Sequence, residues 1–153
     1  MPIDTGLFLD DAAENMAALL DTQRAVFSPP AIKSVTPMKG TFRGIYPSIE
    51  VDAESADFER IESGGGYMID IFLDVYYWYM QFNDQFASKN LKQRLSQIAI
   101  FIASHPSLGG YAEDVMVEDL SITALPTHPA PIVGGVIRCR VRKEVFLNYD
   151  EEI

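Results

Sequence analysis

Cysteine is nearly absent: Cys139 is the single one in a chain of 153 residues. A disulfide within the chain is therefore impossible, and nothing in the composition demands an oxidising compartment. Histidine is almost as scarce, with only His105 and His128. Structural and catalytic metal sites gather three or four protein ligands, and two isolated histidines with one thiol do not make that pattern. Basic residues are also few. Twelve Lys and Arg stand against 22 Asp and Glu, a formal charge of −10, which argues against general affinity for nucleic acid because phosphate binding rests on cationic neutralisation. No apolar run reaches the roughly 18 residues a membrane-spanning helix needs. The first residues carry Asp4, Asp10 and Asp11 without a basic cluster, so a secretion signal is not expected. Glycines are clustered at Gly64-Gly-Gly66, but that run precedes a strand pattern and no Lys-Ser/Thr follows it, so it is not a phosphate loop and no cofactor is expected.

What is present is apolar and aromatic: 48% hydrophobic residues with 22% charged, the balance of a globular domain, here expected to span residues 1–153 as one unit. Its centre is the stretch 67–79. Tyr67, Ile69, Ile71, Leu73, Val75, Tyr77 and Tyr79 form an unbroken row at period two, the pattern of a strand pressed on a core. The even row, Met68, Asp70, Phe72, Asp74, Tyr76 and Trp78, is mixed. Thirteen extended residues reach roughly 43 Å, far beyond the usual strand of about 5–6 residues. Such a strand is an aggregation hazard unless its edges and faces are covered, and the expectation is that identical copies help to cover it.

Residues 8–27 read as a helix, with Asp11-Ala-Ala-Glu14 as a capping box and Met16, Leu19, Leu20, Val26 and Phe27 at helical spacing. Pro29 and Pro30 end it. Residues 28–44, with three prolines and two glycines, read as an irregular arm. Lys33, Lys39 and Arg43 are its only charges; the arm either lies along its own acidic body or reaches an acidic neighbour. Residues 45–53 read as a strand, and 54–66 as a connection carrying Phe58 and Ile61, either a helical turn folded back on the sheet or a loop that docks on a neighbour. Asn83 or Asp84 caps a helix running to about Ser104, with Leu91, Leu95, Ile98 and Ile102 on one stripe. Pro106 and Gly109-Gly110 stop it. Two strands, 113–125 and 132–147, complete the pattern, and residues 148–153 form an acidic tail. The fold class expected is α+β: a mainly antiparallel sheet of two strand pairs, a covering helix between them and an N-terminal helix.

Catalytic chemistry is hard to assemble from these residues. Asp70 and Asp74 share a strand face but stand about 13 Å apart, too far for a glycosidase pair at about 5–9.5 Å. His105 lacks an orienting acid at a recognisable spacing. Cys139 lies between Arg138 and Arg140, but strand neighbours point to opposite faces, so the thiol faces the core. The stripe Arg138, Arg140 and Arg142 has side chains about 6.6 Å apart, which brings phosphate contact into question. Ion pairing with Asp70 and Asp74, within the sheet or across a subunit boundary, is the simpler use.

Three features together resemble the tail-terminator, or tail-completion, proteins of long-tailed bacteriophages. They are the Pro-containing strand Ile45-Tyr-Pro-Ser-Ile-Glu-Val51 with the acidic segment and glycine run after it; the apolar strand Met68-Ile-Asp-Ile-Phe-Leu-Asp-Val-Tyr76; and a helix ending in His105-Pro-Ser-Leu-Gly-Gly-Tyr-Ala-Glu-Asp-Val115 ahead of a Pro-broken strand pair ending Arg140-Val-Arg-Lys-Glu-Val145. The resemblance covers roughly residues 45–147. It implies a virion protein without enzymatic activity, assembled in the host cytoplasm: a homohexameric ring at the head-proximal end of the tail. One face of the ring would meet the tail tube protein, the other the head-completion or neck proteins, with DNA passing through the lumen without specific binding. On this expectation Asp70, Asp74, Arg138, Arg140 and Arg142 lie at the ring interface, and Lys33, Lys39, Arg43, Phe58 and Ile61 dock on neighbours or the tube. A head–tail connector subunit, a small α+β enzyme and a generic oligomeric binding module are the competing expectations.

Overall fold

The period-two row at 67–79 forms the middle strand of a single five-stranded sheet. A computed structural model describes residues 8–27, 31–37, 47–61, 66–80, 87–125 and 132–146. In chain order these give α1 (Phe8–Thr22), a 3₁₀ turn (Arg24–Val26), β1 (Ser34–Thr36), β2 (Ser48–Arg60), β3 (Gly66–Met80), α2 (Ala87–Ala103), a second 3₁₀ turn (Leu108–Gly110), β4 (Asp114–Leu125) and β5 (Ile132–Phe146). The spatial order is β1-β2-β3-β5-β4. Every neighbouring pair is antiparallel except β1 with β2, which is parallel. The α+β expectation holds at that level. The two strand pairs are merged, however, because β5 rather than β4 lies beside β3 and pairs with it along its whole length.

Alternation decides which face is buried. Ile69, Ile71, Leu73, Val75 and Tyr77 of β3 are buried, together with Ile49 and Val51 of β2, Ile137, Cys139 and Val141 of β5, and Val115 of β4. Both helices cover this face. α1 brings Ala12, Ala13, Met16, Ala17 and Leu20, whose small alanines permit close approach, and α2 brings Leu91, Leu95, Ile98 and Ile102. Each fully buried large aliphatic side chain contributes about 1.5–3 kcal/mol, so this shared core dominates stability. Phe27 and Phe101 meet edge to face at 5.4 Å, tying the end of the first helical segment to α2. The edges and core face of β3 are thus satisfied by its own chain, contrary to the expectation that identical copies must complete them; only its even face is left without a covering helix among the described residues.

Three local expectations are corrected. The helix is already running at Phe8, so Asp11 is an interior residue and not a cap; its carbonyl accepts a bond from Asn15 Nδ2 at 2.7 Å. The Tyr111 hydroxyl donates to the Phe8 carbonyl at 3.3 Å and anchors that first turn. Within the proline-rich arm, residues 34–36 form β1, and Lys33 N–H donates to the Pro47 carbonyl at 2.8 Å. The segment between the prolines is long enough for three ladder positions, so it lies on its own sheet. Finally, residues 54–60 are neither helical turn nor loop: β2 continues through them, and just beyond it Ile61 N–H donates to the Gly66 carbonyl at 2.9 Å.

The last correction has a cause in the register. Ala53 faces Leu73, but Ser55 faces Phe72, so Glu54 is an extra residue in a β-bulge. Before it, Ile49, Val51 and Ala53 point to the core; after it, Ala56 and Phe58 do. β4 repeats the device at Glu118, with Val115 and Val117 inward before it and Leu120 and Ile122 opposite core-side partners after it. A phase flip in mid-strand erases the period-two signature.

Candidate functional site

The face of the sheet opposite the two helices carries the charged residues that the sequence singles out, and the strand register sets them in rows. Asp70 lies beside Arg142 and Asp74 beside Arg138. Arg142 grips Asp70 with two bonds, Nε to Oδ1 at 2.9 Å and Nη2 to Oδ2 at 3.2 Å. That planar fork-to-carboxylate match is the strong form of an ion pair. The hydrogen bond from Arg142 holds the Asp70 carboxyl below its ordinary range and, reciprocally, raises Arg142. The second pair is looser: Arg138 Nε stands 3.6 Å from Asp74 Oδ1, with the carboxylate side only 7% exposed.

Asp74 is the chemically unusual group. Burial pushes it up to about 6, and the bulge residue Glu54 adds to the shift by sharing a hydrogen bond and by its charge. Arg138 and the Tyr76 hydroxyl, 3.4 Å from Asp74 Oδ2, oppose it. Glu54 follows the inward Ala53, so it lies on the same face as Asp74, and the two make a carboxyl–carboxylate pair. Between the two ion pairs, Arg140 Nη2 donates to Met116 Sδ at 3.2 Å. Above them Tyr76 and Trp78 stack at 5.7 Å with planes 6° apart.

The expected interface set is thus assembled, but on its own chain: Asp70, Asp74, Arg138 and Arg142 are engaged as cross-strand pairs, with Arg140 beside them. The expected docking set is dispersed. Lys33 lies next to β1, and Lys39 and Arg43 fall outside the described residues. Phe58 projects from β2 on the helix side, 58% exposed, edge-on to Phe8 at 5.7 Å and to Tyr67 at 6.2 Å. Ile61 follows the end of β2, its N–H donating to the Gly66 carbonyl. Sequence reading missed Glu54, and the break in alternation around residues 53–56 was its signal. It also missed the Tyr76–Trp78 stack, for which same-face aromatics two apart were the cue.

The remaining reactive side chains have plain structural roles. His105 Nδ1–H donates to the Phe101 carbonyl at 2.8 Å and its ring lies 4.3 Å from that of Phe101, closing the end of α2. Burial, with the charges of Asp74 and Glu118, pushes the Cys139 thiol up to about 12, so it stays protonated and inert against the core. No group of three or more His, Cys, Asp or Glu among the described residues is placed to hold a metal ion, and no helix among them is long and apolar enough to cross a membrane. What the face can do is present a charged and aromatic surface of fixed register. No family model matches the chain, and comparison with curated proteins finds no relative.

Proposed function

We propose that the protein is a ring-forming tail terminator of a long-tailed bacteriophage: it caps the tail tube, stops its polymerisation and offers a docking face to the head-completion or neck proteins. The observation that carries this reading is the sheet face that no helix covers among the described residues. One side of a β-sheet about 50 Å long at its central strand is covered by α1 and α2, whereas the other presents Phe72, Tyr76 and Met116 among paired charges. A face with half-buried aromatics and internally satisfied charges is suited to packing against another ordered protein surface. The segments that resemble the tail-terminator family supply this architecture: the strand after Pro47, the long apolar strand β3, and a helix ending at His105 to Gly110 ahead of β4 and β5.

On this reading the chain is a structural virion protein at the head-proximal end of the tail, active as a homohexameric ring. Six copies, each of formal charge −10, would carry about sixty excess acids in all, and where acids outweigh bases along the lumen like-charge repulsion lets DNA slide through without adhering. The test is tail length in particles that lack the protein. Overlong tails, restored to uniform length when the purified protein is added during tube growth, are the expected result. Finished tails of normal length beside unattached heads would instead make the protein a connector and overturn the terminator assignment.

A further inference from the structure

The two helices lie on one face of the sheet but over different halves: α1 packs on β1, β2 and β3, and α2 on β5 and β4. Their outward faces are opposite in charge. α1 carries Asp10, Asp11, Glu14 and Asp21 and no base; the first three are exposed, and Asp21 is paired with Arg24 at 3.5 Å. α2 carries Lys89, Lys92 and Arg94 and no acid. Arg94 is buried over the Tyr77 ring, whereas Lys89 and Lys92 are exposed. Each side also offers one exposed apolar side chain. Ile100, 67% exposed, follows Lys89, Lys92 and Ser96 along α2, and Val26, 62% exposed, lies just beyond α1.

We infer that the outward face of α2 in one copy docks on the outward face of α1 in the next, giving a head-to-tail contact between identical chains. The inference rests on the self-assembly part of the proposed function and gives it a specific surface. The acidic and basic helices sit over opposite halves of the sheet, so copies set side by side bring unlike charges together at every junction. A contact between two different surfaces of one chain repeats around a circle and closes when the rotation allows. Exposed ion pairs contribute little each; their role is to choose the partner and its orientation, while Ile100 and Val26 supply apolar burial.

The sheet edges are a worse junction. β1 covers β2 only at Ser48–Glu50, and the rest of β2 and all of β4 are outer edges among the described residues. Asp57 and Asp114 lie in one cross-sheet row, and Asp52 and Asp119 in another. Extending the sheet into a neighbour at the same level would oppose acid to acid in both rows, and each edge strand is also kinked by its bulge. These are devices that discourage edge pairing.

The experiment is a charge swap read by native mass and sedimentation of the purified chain. Lys89→Glu with Lys92→Glu is expected to weaken assembly at least tenfold. Asp10→Lys with Glu14→Lys should do the same, and the four changes combined in one chain should restore it. Far-ultraviolet circular dichroism of each variant confirms that the fold is kept. Assembly unaffected by either pair, a combined variant that stays dissociated, or wild type that never exceeds two copies would overturn the contact. These outcomes are separable from the terminator reading: a ring that forms through another surface and still limits tail length would remove only this inference.

Discussion

At the scale of single residues, the sheet depends on two kinds of contact that respond oppositely to change. Asp70 is held by the Arg142 fork, and its lowered pKa means the ionised form is favoured in the fold. Asp70→Asn keeps the shape but removes the charge from a partly buried pair. Because the Arg142 guanidinium is largely solvated, the loss is expected to be small but measurable, seen as a slightly lowered urea midpoint. Asp74 has the reverse sign. Its folded pKa, about 6, lies above the ordinary 3.8, so near pH 5 the folded chain holds a proton that the unfolded chain has released. This group's contribution to stability therefore falls as pH rises from about 4 to about 6 and is level above that. Asp70 contributes stability above its ordinary pKa and loses it as pH drops through its lowered folded value. Thermal melts of Asp74→Asn across pH 4–7 should show a flatter slope between 4 and 6 than wild type, and an unchanged slope would refute the assignment. Gly135 illustrates close packing: a Cβ there would overlap Leu95 Cδ1 and sit 2.8 Å from the Ser121 carbonyl. Gly135→Ala is expected to cost about 1–3 kcal/mol as overpacking, seen as a lowered urea midpoint.

At the scale of elements, legibility followed how regular each pattern was. β3 was plain in the sequence because its apolar row is never interrupted, and α2 because Leu91, Leu95, Ile98 and Ile102 keep one stripe. Gly109 and Gly110 adopt positive φ after α2, as the stop signal required. Leu108, at φ 47°, does so as well without a glycine's freedom; its buried side chain helps to hold it there. β2 was read only to residue 53, since the bulge at Glu54 moves the inward positions from odd to even numbers and the acids around it resemble a loop. Deleting Glu54 should restore a single phase. The expected outcome is a regular ladder with the pairing kept, Ser55 still facing Phe72 and Ala56 still facing Ile71, so Ala56 and Phe58 stay inward and amide protection along residues 55–60 is retained; loss of that protection would contradict the bulge. The Asp–Arg stripe was legible as complementary charge, but its partner strand was not: pairing of β5 with β3 depends on a chain crossover that no local pattern encodes.

At the scale of the whole molecule, one sheet face belongs to the core and the other carries no helix among the described residues, while opposite charges divide the helix layer. The acidic excess of the chain and the localised bases of α2 together predict assembly that weakens with salt. Screening acts over about 8 Å at physiological ionic strength, so raising sodium chloride from 0.05 to about 0.5 M should dissociate the oligomer, as sedimentation velocity would record. The ring was the reading least accessible from residues alone, because β3 finds both of its edge partners within its own chain and its length therefore does not by itself demand copies. The claim now rests on the face opposite the helices and on the charges of the helices themselves. Imaging of the protein bound at tail ends tests it most directly: the account predicts one closed ring of six copies at the head-proximal end of each tube. Single copies, two-fold dimers, or binding at the opposite end would contradict it.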